Sequence, residues 1–149
     1  MNLELKTTSS LYETDFALWT EQIVELLRDR NFKEVDWENV IEEIESLGRS
    51  EKHALESQLT RVMMHMLKWD YQPERRSNSW RGSIVEGRTQ IRRLLKASPS
   101  LKPYLNNIFA ECYRDAVEQV SAETGLPIDT WTVDCPYSLN QLLESDFIR

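Results

Sequence analysis

The side chains best suited to chemistry gather between Asp36 and Trp80, a stretch that holds both histidines and three of the five tryptophans. His65 stands four residues before Trp69 and beside Met63, Met64 and Met66, at or near the buried seam of a helix. A neutral imidazole there can ligate a metal or act as a base; the simpler expectation is a histidine held by one hydrogen bond at a core edge. His53 is expected to face solvent. Glu42, Glu43 and Glu45 put three carboxylates within one turn, and helix bundles bind paired metals through glutamates and Glu-x-x-His motifs. This chain has no Glu-x-x-His. An acidic face that is solvated or paired with bases is therefore expected, with no metal and no cofactor. Cys112 would need a base within about 3 Å to act as a nucleophile, and its register with Ile108, Phe109 and Val120 reads instead as a buried thiol. The GxSxG, HExxH, GxxxxGK[ST] and GxGxxG patterns are absent, which removes the commonest hydrolase, metalloprotease and nucleotide-binding motifs. No catalytic motif is complete, and an enzyme is not the first expectation.

The most specific polar feature is basic. Between Pro73 and Pro103 eight bases stand against two acids, whereas Asp36 to Glu45 holds five acids and no base. Arg81, Arg88 and Arg92 are spaced by seven and then four residues, so they project in similar directions from a helix. With Arg75, Arg76, Trp69 and Trp80 close by, the helix over 75–96 has what a phosphate backbone and stacked bases require. Arginine is equally the preferred partner of carboxylates within a fold, and a net charge of -7 opposes the approach of a polyanion. The first expectation is that Arg76, Arg81, Arg88 and Arg92 meet the carboxylates of Asp36 to Glu45; a protein partner comes next and nucleic acid last.

Helices must position these groups. Phe16, Trp19, Ile23, Leu26 and Leu27 recur at three- and four-residue steps, which predicts a helix over 13–30 capped by Thr14 or Asp15. Asp36 opens a second stripe through Val40, Ile41, Ile44 and Leu47. Gly48 then predicts a break or a bend, after which Leu55, Leu59, Val62, Met63, Met66 and Leu67 carry the stripe to Tyr71. Trp80, Ile84, Ile91, Leu94 and Leu95 predict the basic helix, started by Ser77 or Ser79. Ser98 before Pro99 has the form of the next start, Tyr104 to Val120 supply its core face, and Gly125 with Pro127 ends it. Leu139 to Leu143 can form a last short helix. Met1 to Ser10 has no period and is expected to be a flexible arm. Trp19, Trp69 and Trp80, each at the end of an apolar stripe, are expected to share one core. The fold class is all-α, a compact bundle of four to five amphipathic helices with short turns in a single domain over 11–149.

Composition agrees with this outline. At 149 residues one core is feasible, and 40% hydrophobic with 29% charged residues is ordinary for a globular chain. No apolar run approaches the roughly 18 residues of a membrane helix, and the first ten residues lack the apolar centre of a secretory signal. A cytoplasmic protein without membrane association is expected. Cys112 and Cys135 form neither a CxxC pair nor a metal knuckle, and free thiols are expected.

The runs DWENVIEEIESLGRSEKHALESQL, HMLKW and QPERRSNSW, followed by PSL, AETGL and CPY, resemble the bacterial helical family catalogued as domain of unknown function twenty-nine, common in cyanobacteria. The resemblance covers Tyr12 to about Phe147; its matching positions include Asp36, Trp37, Glu42, Glu43, Glu45, His65, Lys68, Trp69, Gln72, Pro73, Arg76, Ser79 and Trp80. It implies an almost entirely helical fold and brings no activity, substrate or cofactor. The expected function is that of a soluble protein-interaction or adaptor module with an unknown protein partner, and a homodimer is compatible with it. The alternative is a nucleic-acid-binding protein or nucleic-acid-processing enzyme using helix 75–96. The candidate functional surface comprises Glu42, Glu43, Glu45, His65, Trp69, Arg75, Arg76, Trp80, Arg81, Arg88 and Arg92.

Overall fold

The computed structural model describes residues 8–148. Among them the fold is all-α, without a strand. The helices are α1 (Thr8–Thr14), α2 (Phe16–Arg28), α3 (Trp37–Tyr71), α4 (Asn78–Ala97), α5 (Leu101–Thr124) and α6 (Leu139–Leu143). Two compact units divide the chain, Met1–Arg49 and Ser50–Arg149. Gly48 does not end a helix: α3 runs on through it, and the division between the units falls just beyond, after Arg49.

In the first unit, the side chain of Asp15 accepts the N–H of Leu18 at 3.1 Å, and this cap separates α2 from α1 where one helix over 13–30 was expected. Of the arm expected over Met1 to Ser10, residues 1–7 lie outside the described residues, and Thr8 to Ser10 open α1. The core is Leu11, Trp19, Ile23, Val35 and Val40. Trp19 meets Tyr12 edge-on at 4.9 Å and donates its indole N–H to Asp36 at 3.2 Å. The chain leaves α2 through Arg30 at φ 56, with the N–H of Asn31 on the carbonyl of Leu26 and that of Arg30 on Leu27. This is the paired-bond helix end that glycine usually supplies.

The second unit has its own core, in which Leu55, Leu59, Val62 and Met63 of α3 are fully buried with Ile84 and Ile91 of α4 and Leu105 and Val120 of α5. Ser77 caps α4 by accepting the N–H of Trp80 at 3.2 Å. α4 approaches α3 closely at Gly87, where a Cβ would stand 2.5 Å from Cγ2 of Val62. Ser98, expected to open the next helix, closes α4 instead by donating its N–H to Leu94. α5 starts at Leu101 with Pro103 in its first turn, where no intrahelical N–H partner is needed. Gly125, at φ 74, ends α5 in the left-handed conformation a glycine tolerates. Beyond it, Trp131 and Tyr137 return to the same core, and Ser138 and Gln141 cap α6 reciprocally.

The shared core expected for Trp19, Trp69 and Trp80 does not form. Trp19 belongs to the cluster of the first unit, and Trp69 and Trp80 are half-buried in the second. The tryptophan that enters the second core is Trp131, which lies outside any helix.

Candidate functional site

The basic stripe is largely consumed by the fold. Arg88, expected on its surface, is 1% exposed: Nε donates to the carbonyl of Leu142 at 2.6 Å, and Nη2 to the carbonyl of Gln141 at 3.3 Å and the sulfur of Met66 at 3.7 Å. Arg92 donates to the carbonyl of Leu143 at 3.2 Å. Two arginines thus hold the last three carbonyls of α6, the negative end of its dipole. Burial pulls the Arg88 guanidinium below its ordinary value, and the neighbouring Arg92 adds to this; arginine stays charged through such shifts. The signal for this burial lies in the sequence: Arg88 follows Ile84 by four residues and precedes Ile91 by three, so it shares their core face.

The aromatic faces suited to stacking also have internal cations. Arg76 stands over Trp69 at 5.0 Å and donates to that residue's carbonyl at 2.7 Å. Lys68, buried, stands over Trp80 at 4.9 Å and pairs with Glu123 at 2.7 Å. Arg75 and Arg81 are exposed. The acidic segment likewise finds partners close by: Glu42 and Glu45 meet Arg49 at 2.7 and 3.8 Å, and Glu43 accepts the Tyr12 hydroxyl at 2.5 Å, which pushes that phenol up to about 12. Of Arg76, Arg81, Arg88 and Arg92, the four expected to meet Asp36 to Glu45, Arg81 is exposed, and Arg76, Arg88 and Arg92 are engaged by groups of their own unit. Carbonyls at a helix end engage the last two arginines, and one local arginine serves two of the glutamates.

The face of α3 that remains bare is apolar. Trp37, Ile41 and Ile44 follow one another at four- and three-residue steps, with Leu47 three residues further, and so form one ridge. Ile41, Ile44 and Leu47 are 53%, 64% and 69% exposed. The same stripe continued past Gly48 reaches Leu55, Leu59 and Val62, each wholly buried. Beside the ridge runs a second row, Glu38, Glu42 and Glu45, all exposed.

A family model described as Domain of unknown function DUF29 matches residues 11–148. The chain belongs to that family. No match was found among curated proteins, and none among solved structures.

One open cleft of this DUF29 chain, about 450 Å³, brings both histidines to a common wall with Glu56, Thr60, Arg61 and Asp115. The Nδ1 of His65 lies 2.8 Å from the carbonyl of Arg61. A carbonyl only accepts, so Nδ1 carries the proton and Nε2 the free lone pair. Burial holds the His65 imidazole below its ordinary 6.5, hence neutral at pH 7. This is a histidine satisfied at a core edge, with a basic nitrogen to spare. Cys112 is buried, its thiol directed to the carbonyl of Glu56 at 3.8 Å and pushed up by burial, which keeps it protonated. The Glu56 carboxylate accepts the Tyr104 hydroxyl. Among the described residues no three His, Cys, Asp or Glu side chains cluster so as to hold a metal. Among the same residues no helix is long and apolar enough to cross a membrane.

Proposed function

We propose that this protein is a cytoplasmic protein-interaction module whose binding face is the ridge Trp37, Ile41, Ile44 and Leu47 of α3. The observation that carries the reading is the exposure of three large aliphatic side chains in consecutive turns of one helix. An isolated exposed apolar residue is ordinary, whereas a contiguous row bordered by charge marks an interaction surface. Two free cysteines suit a reducing compartment. The nucleic-acid alternative is weakened because Arg88 and Arg92 are engaged at α6, and Trp69 and Trp80 carry internal cations.

The test is the triple variant Ile41→Gln, Ile44→Gln, Leu47→Gln, which keeps good helix formers on the helix. Because these positions are exposed, its melting temperature is expected to stay within a few degrees of wild type, each surface change being worth about 0.5 kcal/mol or less. A protein partner identified by affinity purification from the source organism is expected to be lost. A large loss of stability would mean that these side chains pack within the chain, and full retention of the partner would place its surface elsewhere; either result refutes the reading.

A further inference from the structure

We infer that the segment covering the α3 ridge is a cationic amphipathic helix of a partner protein, an inference that rests on the interaction reading above. The ridge from Trp37 to Gly48 follows one face of a continuous helix for about 16 Å at 1.5 Å per residue. That length matches three to four turns of a second helix, and anchors at three- and four-residue steps are how a helix is read by another helix. A Cβ built on Gly48 has no atom within 4 Å. The ridge therefore ends in an open notch, where a partner's bulky apolar side chain can seat close to the backbone.

Charge selects the partner. Glu38, Glu42 and Glu45 form the row immediately beside the apolar ridge, the place from which flanking charges choose partners in paired helices. Glu38 lies in the first turn of α3, where the helix dipole accounts for an acid. Glu42 and Glu45 lie beyond the reach of that effect. Arg49 bonds both of them from the end of the row and leaves a net negative edge. A second copy of the chain laid ridge to ridge would bring these acids towards their own kind, and like charges at an interface are costly. An anionic lipid surface is opposed for the same reason: helices that lie on membranes carry lysine and arginine on the polar face, and this one carries glutamate. Lysines or arginines flanking an apolar stripe satisfy both rows at once.

The experiment uses the full chain and three fluorescein-labelled 14-residue helical peptides: a leucine ridge with lysine flanks, the same ridge with glutamate flanks, and the lysine peptide with serine in place of leucine. Anisotropy is read at low and at moderate salt. The leucine–lysine peptide is expected to bind at least tenfold more tightly than either other peptide and to weaken with salt. Binding should fall at least fivefold in Glu38→Gln, Glu42→Gln, Glu45→Gln, and at least tenfold in Ile41→Gln, Ile44→Gln, Leu47→Gln. Equal binding of the lysine and glutamate peptides, abolished by the aliphatic variant, would overturn the cationic partner while the interaction reading stands. Binding that the aliphatic variant leaves unchanged, or no binding of any peptide, would overturn the inference. So would a dimer in sedimentation equilibrium that the aliphatic variant dissolves, since the occupant is then a second copy. Ridge-dependent binding to phosphatidylserine vesicles would equally overturn it.

Discussion

Arg88 sits where its removal discriminates between a structural guanidinium and a phosphate-binding one. Arg88→Ala takes Cγ and Cδ from the core, about 1.6 kcal/mol at about 0.8 kcal/mol per methylene. It also deletes the bonds to Leu142 and Gln141, each worth about 1.5–3 kcal/mol for a charged donor. Against this, a guanidinium without a bonded carboxylate no longer has to be stripped of water, which returns several kcal/mol; its Nη1 is buried without a hydrogen-bond partner among the described residues. The net expected loss is about 2–4 kcal/mol. Arg88→Met keeps the stem's volume and leaves the same carbonyls bare without a charge to bury, so it should cost about 1.5 kcal/mol less than the alanine. Urea unfolding with linear extrapolation measures both. Amide exchange at Leu142 and Glu144, whose N–H groups bond the carbonyls of Ser138 and Asn140 at the two ends of α6, should quicken in both variants as that helix loosens. The reasoning fails if Arg88→Ala lies within 0.5 kcal/mol of wild type, or if methionine costs as much as alanine. An unchanged fold with loss of nucleic-acid binding would restore the nucleic-acid reading.

Two glycines in helices should respond to alanine with opposite signs. Gly48→Ala meets open space and is expected to raise stability by about 0.5–1 kcal/mol. Gly87→Ala drives a Cβ into Val62, whose β-branched side chain cannot turn aside in a helix; overpacking of about 1–3 kcal/mol should outweigh the helix-propensity gain. Melting temperatures that move the same way would refute the close contact. His65 should titrate by proton NMR with a midpoint below 6.5, because burial disfavours its charged form. The unfolded chain then takes up the proton first, so stability is intact above about pH 6.5 and falls as pH drops through the folded midpoint. His65→Gln should flatten that slope, and a midpoint at or above 6.5 would contradict the burial.

The helices were legible because amphipathic periodicity reports which face of a segment is apolar, and that property is local. The stripes of α2, α4 and α5 and the end at Gly125 could be read residue by residue, and the caps to one of two residues each, of which the structure uses Asp15 and Ser77. Gly48 was ambiguous since a glycine weakens a helix by only about 1 kcal/mol, less than the flanking turns supply. Periodicity does not say what covers a face. Val62 and Ile44 occupy the same stripe of α3, yet one is wholly buried and the other 64% exposed, a difference made by helices packed from elsewhere in the chain. Arg88 and Arg81 looked equivalent by spacing, and the docking of α6 took only the first into the core. Trp19 and Trp131 carried no mark of the separate clusters they join, because membership depends on contacts distant in sequence. Residue types and their periods determined the helices and the charge of each face. Only the tertiary structure decided which arginines were already engaged and which apolar face was left bare, since both depend on where non-neighbouring segments come to rest.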